Sequence, residues 1–376
     1  MKAISFIGTG TYRLCNYSYN KTNGAGSADV QLCETHLFPI AIAEFFKPDE
    51  MIICLTDEAK DAKPKFYGNA GKSALDEESE YYDELEKVFD LDLSDKTYIE
   101  QIEAIAEKRG LVKPTKVDIK SGKDEDELWE IFDVISKCVE ENDEIVVDIT
   151  HAFRSIPLLS FLVIAYLRET KNITLNSLIY GAFEARDSGN NTAPIFDLTE
   201  LVKLFDWISA AKQFNEAGSA KFLVDVLRSN NDINLADKIE NISQSLRLLR
   251  PDRIMESAIN ASNTFNNEKA KKHWKSKPVF ELMESIDATY SQWKLANPKS
   301  ADSRCAFVKK LFELSHWYFD NGQYLQSIAM LRELIVTIVC IRLEKDFFKL
   351  DANRRIAESY LNDKPNRNKE DDAKTK

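Results

Sequence analysis

The chain has six cysteines but no CxxC pair, and four histidines but no HxxxH or HExxH spacing. The cysteines, Cys15, Cys33, Cys54, Cys138, Cys305 and Cys340, are widely scattered. A structural zinc site and a disulfide framework are both excluded as expectations. Cys54, Cys138 and Cys340 lie in apolar surroundings and read as core residues. Long apolar runs are also missing. The longest strongly apolar stretch, Ile156 to Leu167, falls well short of the ~20 residues that cross a bilayer. KAISFIG after Met1 is too short for a signal peptide. A soluble, cytoplasmic protein with no membrane partner is expected. Positive charge is in deficit: 50 Lys and Arg face 62 Asp and Glu, for a net charge of −12. A protein that coats long nucleic acid needs clustered cations, so that class is disfavoured. A small anionic ligand in a locally basic pocket remains open. The dinucleotide fingerprint is incomplete, because the third glycine of GxGxxG would fall at Arg13.

What is present suffices for real cores: 376 residues, 44% hydrophobic and 10% aromatic. That length predicts two domains. The organising stretch is Glu144 to Leu158, EIVVDITHAFRSIPL. Ile145, Val146 and Val147 form a short β-branched run, the pattern of a buried strand. Asp148, Thr150, His151, Arg154 and Ser155 follow within eight positions. Ile156 to Leu167 then runs apolar, with Pro157 suited to a first helical turn. Taken singly, Asp148 and Thr150 are explained as caps and Arg154 as a surface charge. Together, at a strand-to-helix turn, they suit a phosphate or an adenine-ribose edge.

Lys2 to Gly8 reads as the first strand, followed by GTGTYRLCNY. Gly8 and Gly10 permit a tight turn and close approach to a ligand. Thr9, Thr11 and Tyr12 add hydroxyls. Residues 17 to 28 read as a flexible polar loop and Leu32 to Phe46 as a helix. Met51 to Leu55 is a second buried strand. Residues 60 to 95 read as a charged, exposed insertion with a helix around 74 to 90, whose acidic run is a solvated face. A helix at Ile99 to Lys108, a strand at Thr115 to Ile119 and a helix at Asp124 to Glu141 follow. Beyond the organising stretch come a helix at 156 to 169, a strand at Ile173 to Phe183, a turn at 187 to 193 and a returning strand at Pro194 to Leu198. Alternating strands and helices predict a parallel, doubly wound α/β sheet. From Leu198 to Tyr360 the periodicity is helical throughout. Helices are predicted near 198–215, 218–229, 233–248, 251–267, 276–294, 302–320 and 324–346, separated by Asn230-Asn231, Pro251, Pro278, Pro298 and Asn321-Gly322. The domains expected are 1–198, α/β, and 199–361, all-α. A charged tail, 362–376, reads as disordered.

The N-terminal half resembles a CARF domain, the sensor module of type III CRISPR-associated proteins. The matching residues are ISFIGTGTY at 4–12, DITHAFRSIP at 148–157, and IYGAFE followed by APIFDLT at 179–199. The helical half resembles, more softly, the HEPN-like region of CARF–HEPN effectors, at LVKLFDWISAAKQF (202–214) and HWYFDNGQYLQSIAMLRELIV (316–336). The resemblance implies a Rossmann-like doubly wound CARF domain, then a helical HEPN-like domain. It implies binding of a cyclic oligoadenylate, tetra- or hexa-adenylate, across the two-fold axis of a homodimer joined through both domains. The implied ligand-binding set is Gly8, Thr9, Gly10, Thr11, Tyr12, Thr150, His151, Ala152, Phe153, Arg154 and Ser155. No cofactor is implied.

The family's HEPN domain is a metal-independent ribonuclease of single-stranded RNA with an R-x(4–6)-H motif. None of His36, His151, His273 and His316 completes that motif here, so no catalytic residue is assigned. The alternatives are a ring nuclease, with Thr9, Thr11, His151 and Arg154 as candidates, and a non-catalytic nucleotide-sensing adaptor. His316 reads as a buried, satisfied histidine. His273 and Trp274, in KAKKHWK, read as part of a solvated face rather than an RNA track. Trp207, Trp293 and Trp317 read as core or interface residues. Arg154→Ala is expected to weaken oligoadenylate binding by more than ~1.5 kcal/mol, as for a lost charge-assisted phosphate contact. Calorimetric titration with the ring checks this, and an unchanged affinity removes Arg154 from the site.

Overall fold

The structure is a computed structural model. It describes residues 1–22, 28–67, 72–151, 155–270, 277–348 and 353–362. Two compact units are formed, Met1–Val202 and Lys203–Lys376. Arg154 with Ala152 and Phe153, the segment 271–276, and the tail from 363 lie outside the described residues.

The first unit is built on eight strands: β1 (Lys2–Ile7), β2 (Cys15–Thr22), β3 (Ala28–Thr35), β4 (Glu50–Leu55), β5 (Pro114–Asp118), β6 (Glu144–Asp148), β7 (Thr174–Gly181) and β8 (Thr192–Asp197). Their order across the sheet is β3-β2-β8-β7-β6-β1-β4-β5. Strands β5, β4, β1, β6 and β7 are mutually parallel. β8 returns antiparallel to β7, and β2 pairs parallel with β8 and antiparallel with β3.

The side-chain alternation of β1 shows why both faces must be covered. Ala3 and Ile7 enter one core with Met51, Ile53 and Leu55 of β4. Ile4 and Phe6 enter the other with Ile52, Cys54, Ile145 and Val147. A strand buried on both faces loses the polar alternation of an amphipathic strand and reads as a continuous apolar run. One face is covered by α1 (Phe38–Phe46), α3 (Ala74–Phe89) and α4 (Tyr98–Lys108), and the other by α5 (Glu125–Lys137) and α6 (Ile156–Lys171); α2 (Asp57–Lys60) is a single turn after β4. Local chemistry starts these helices. Ser73 with Asp76 and Thr97 with Glu100 form reciprocal capping boxes on α3 and α4. The Asp124 side chain accepts from Glu127 N at 2.9 Å at the head of α5.

Two sequence expectations are corrected. Residues 17–22 and 28, read as a polar loop, lie in strands, because β2 and β3 occupy 15–22 and 28–35; the rest of that expected loop, 23–27, lies outside the described residues. The helix expected from Leu32 begins only at Phe38. The hairpin was hidden by its outward face: Val30 and Leu32 are exposed, while Cys15, Tyr17, Tyr19 and Cys33 alternate inward. The acidic insertion is solvated on one face only. Tyr81, Leu85 and Phe89 of α3, at i, i+4 and i+8, are buried in the sheet's core.

The second unit contains α7 (Thr199–Ala217, which starts in the first unit), α8 (Lys221–Ser229), α9 (Ile233–Arg247), α10 (Pro251–Ala270), α11 (Lys277–Ser291), α12 (Arg304–Asp320), α13 (Tyr324–Arg342) and α14 (Asn353–Asn362). α14 had no counterpart in the sequence reading. Tyr290, Trp293, Leu311, Leu314 and Met330 are fully buried at its centre. Trp207 is also buried and Trp317 packs against the same core. His316 is corrected: its side chain is 61% exposed and Nδ1 meets Asp320 Oδ2 at 2.7 Å, an i,i+4 pair on an open helix face. The apolar run Ile156–Leu167 is not the longest candidate span. Among the described residues α13 is long and apolar enough to cross a membrane by length and composition. Its Met330, Leu334, Val336 and Cys340 are buried in the helical core.

Gly181, at the end of β7, is fixed by a close approach. A Cβ there would stand 2.5 Å from Cε2 of Phe38, whose ring is fully buried and packs edge-on against Tyr17 at 4.7 Å. Gly181→Ala is expected to lower unfolding stability by about 1–3 kcal/mol through overpacking. Denaturant unfolding followed by the sheet's signal checks it. Unchanged stability would show that Phe38 can move.

Candidate functional site

β1 passes to β4 on one side of the sheet, whereas β6 adds on its other side. The loops leaving the carboxyl ends of β1 and β6 therefore diverge, and a crevice opens between them. A cavity of about 370 Å³ lies there, walled by Gly8 to Arg13, Tyr17, His36, Thr150, His151, Tyr180, Gly181, Phe183 and Glu184. Of the residues singled out in the sequence, Gly8, Thr9, Gly10, Thr11, Tyr12, Thr150 and His151 are brought together on this wall. Ser155 is not on it. Ser155 precedes α6 without a side-chain cap bond, its hydroxyl lying toward Gly122.

The 8–13 loop is held rather than free. Tyr12 Oη accepts from Gly8 N at 3.0 Å, and Tyr98 Oη donates to Gly10 O at 2.7 Å. Thr11 Oγ1 donates to Lys65 O at 3.0 Å. A Cβ on Gly8 would stand 3.1 Å from His151 O, so glycine lets the two loops meet. The Tyr12 ring lies against His151, centroids 4.0 Å apart, and against Tyr98 at 4.8 Å. Burial pushes the Tyr12 phenol up to about 12, so it keeps its proton. Arg13, on the rim, pairs with Glu77.

The second loop is tied to the sheet. Thr150 N donates to Asp148 Oδ1 at 2.8 Å, and Thr150 Oγ1 accepts from Gly181 N at 2.8 Å. The Thr150 hydroxyl also hydrogen-bonds the Asp148 carboxylate, so its proton is used within the loop. Asp148 is fully buried and also accepts from Ser5 Oγ of β1. His151 Nε2 accepts from Phe38 N at 3.3 Å, which puts its proton on Nδ1. Burial, with His36 nearby, lowers the His151 imidazole to about 3, so it is neutral.

The sequence reading missed His36, Gln101, Tyr17 and Tyr180. Gln101 Nε2 donates to the carbonyls of Lys96 at 3.0 Å and Leu93 at 3.4 Å. Its Oε1, 2.7 Å from His36 Nε2, is therefore the acceptor, and Nε2 of His36 carries the proton. His36 Nδ1 is left as a buried lone pair with no partner. Burial lowers this imidazole to about 4. Buried polar atoms without partners are few in folded proteins, and one on a cavity wall points to a ligand or a bound water. The only sequence signal was a histidine between the strand-forming ADVQLCET and the apolar LFPIAIA.

The wall is thus aromatic and hydrogen-bonding, with two neutral imidazoles. It suits a nucleobase and ribose edge, with loop amides and the Thr9 hydroxyl beside them for phosphate. Among the described residues no group of three or more His, Cys, Asp or Glu could hold a metal ion.

With this geometry in place, comparison with known proteins is informative. Residues 2–184 match the family described as CRISPR system endoribonuclease Csx1, CARF domain. Residues 203–298 match CRISPR-associated protein MJ1674, second domain. The chain is 27% identical over 355 residues to CRISPR-associated protein MJ1674 of Methanocaldococcus jannaschii, covering 90% of this chain and 53% of that protein. The chain therefore spans about half the length of this curated relative. A solved structure of Enterococcus italicus Csm6 bound to cyclic hexa-2′-fluoro-hexa-dAMP overlays 96% of this chain and 92% of its own, at 11% identity and a TM-score of 0.36.

Burial raises the Asp148 carboxyl from 3.8 to about 6, against the hydrogen bonds from Ser5 and Thr150 that pull it down. The native state therefore binds this proton more tightly than the unfolded chain. Its contribution to stability is full below about 3.8 and is lost as pH rises through about 6, a swing of up to about 3 kcal/mol. Asp148→Asn is expected to remove that swing. Unfolding of the two proteins at pH 4.5 and 7 checks it: the wild type should lose more stability than the variant over that interval, and parallel losses would refute the assignment.

Proposed function

We propose, from the premise that this chain is a CARF-containing CRISPR-associated protein of the type III accessory class, that the cavity between the β1 and β6 loops binds one adenylate of a cyclic oligoadenylate. The observation that carries this reading is the meeting of the GTGTY loop with Thr150 and His151 at the sheet's switch point, inside the segment that matches a CARF domain. The cavity's size supports a stoichiometry of two chains per ring. About 370 Å³ is near the lower end of ligand pockets, ~300–1,000 Å³, and takes a nucleotide rather than a ring. A cyclic ligand then needs a second copy of the cavity, and a two-fold homodimer supplies one that matches the symmetry of the ring. The first unit is the sensor and the helical unit the output, acting in the cytoplasm in defence against foreign nucleic acid.

The residues favour sensing over cleavage of the ring. Attack by a ribose 2′-hydroxyl gains from a base with a pKa near neutrality. Both imidazoles on the wall are held far below that, at about 3 and about 4. A ribonuclease role for this stretch of chain is not favoured either: it contains no R-x(4–6)-H, and His316 is an exposed helix-face residue paired with Asp320.

Isothermal titration with cyclic tri-, tetra- and hexa-adenylate, with chromatography of the recovered ligand, tests the reading. Binding of one ring per two chains, with the ring recovered intact, is expected. Tyr12→Leu removes the stacked wall and should weaken binding by at least about tenfold. Failure to bind any of the three rings would sink the proposal, and recovery of linear fragments would replace the sensor reading with a ring nuclease.

A further inference from the structure

The helical unit holds its own concavity, of about 380 Å³, between the start of α10, the side of α13 and the segment after it. Four cations face it: Arg250, Arg253, Lys299 and Arg354. Two are neutralised locally. Lys299 Nζ stands 3.3 Å from Asp252, and Arg354 pairs with Glu333. Arg250 and Arg253 are both exposed and form no ion pair among the described residues. Three residues apart, they flank the first turn of a 20-residue helix, whose Ile254 N already donates to Arg250 O at 2.9 Å. Like charges held on one rim of a concave surface repel, and the first-turn amides add positive potential there. Together they make a site whose missing component is an anion.

The opposite wall is aromatic. Phe307, Phe347 and Phe348 pack with centroids 4.4 to 5.3 Å apart. Phe347 is buried, whereas Phe348 is half-buried on the cavity wall, with Lys299 Nζ 5.8 Å over its ring. A bare carboxylate or phosphate would use the arginines and leave this wall unused. A ligand with an anionic end and a flat apolar body uses both.

We infer that this concavity binds a 5′-phosphorylated nucleotide, its phosphate between Arg250 and Arg253 at the head of α10 and its base against Phe348. The nucleotide is free or is the 5′ end of an oligonucleotide; the chemistry recognised is the same. This site is separate from the cavity of the first unit and does not depend on what that cavity binds.

The test titrates the full chain with AMP, with inorganic phosphate, and with one short RNA carrying either a 5′-phosphate or a 5′-hydroxyl. AMP should bind more tightly than phosphate. Arg250→Glu with Arg253→Glu should weaken the AMP isotherm by at least about tenfold, with the circular dichroism spectrum unchanged. Phe348→Leu should weaken AMP but not phosphate. Preference for the 5′-phosphorylated RNA over AMP identifies a strand end, and the reverse a free nucleotide. Equal affinity for phosphate and AMP would overturn the nucleotide assignment, and AMP binding that survives the double substitution would overturn the site.

Discussion

A single buried carboxylate joins the two halves of the first unit's site. Asp148 ends β6 and accepts from Ser5 in the middle of β1 and from the amide of Thr150. Those bonds cross the sheet at the place where its winding reverses. They fix how far Thr150 and His151 stand from the loop that leaves β1. A fully buried acid is costly to ionise, and here the Ser5 hydroxyl and the Thr150 hydroxyl and amide offset that cost only in part. An apolar residue would pack there more cheaply. It would leave the Thr150 amide without its acceptor and the second loop without an anchor.

The sheet that carries this constraint was largely legible in the sequence. The strands at 2–8, 51–55 and 144–148 announce themselves because a strand covered on both faces needs apolar residues at every position. The polar residues placed directly after them are then conspicuous. Most of the helical unit was legible for the complementary reason, since 3.6-residue periodicity persists over long segments and breakers separate them. α14 escaped because it is short and rich in charge, with Ala357 as its buried contact.

The β2–β3 hairpin was illegible for a specific reason. Its inward residues are Cys15, Tyr17, Tyr19 and Cys33, and its outward ones include Val30 and Leu32. Polarity therefore does not alternate, although burial does. With the hairpin went His36, which follows its second strand directly and faces the cavity from far away in sequence. Its role depends on Gln101, 65 residues on, whose amide orientation is fixed by two backbone carbonyls. No spacing rule encodes such a pair. The misjudged His316 shows the same limit from the other side: an apolar neighbourhood in sequence, LSHWYF, said nothing about which face of α12 the ring occupies.

Net charge of the whole chain does not describe the lining of either concavity. The chain is acidic overall, at −12, yet the two concavities differ in the charge of their walls. In the first unit the described wall offers no free cation: Arg13 is paired with Glu77, both imidazoles are neutral, and Glu184 adds a carboxylate that accepts from the Tyr180 hydroxyl. Recognition there falls to hydrogen-bond geometry and ring contacts, which distinguish one base from another. In the helical unit two arginines without an ion pair among the described residues stand beside an aromatic wall, an arrangement suited to binding charge strongly and discriminating bases weakly. A cavity without free cations resists salt and selects; a cationic one attracts at a distance and tolerates variety. The two units are therefore suited to different tasks, the first to identifying a particular ligand and the second to capturing a class of them.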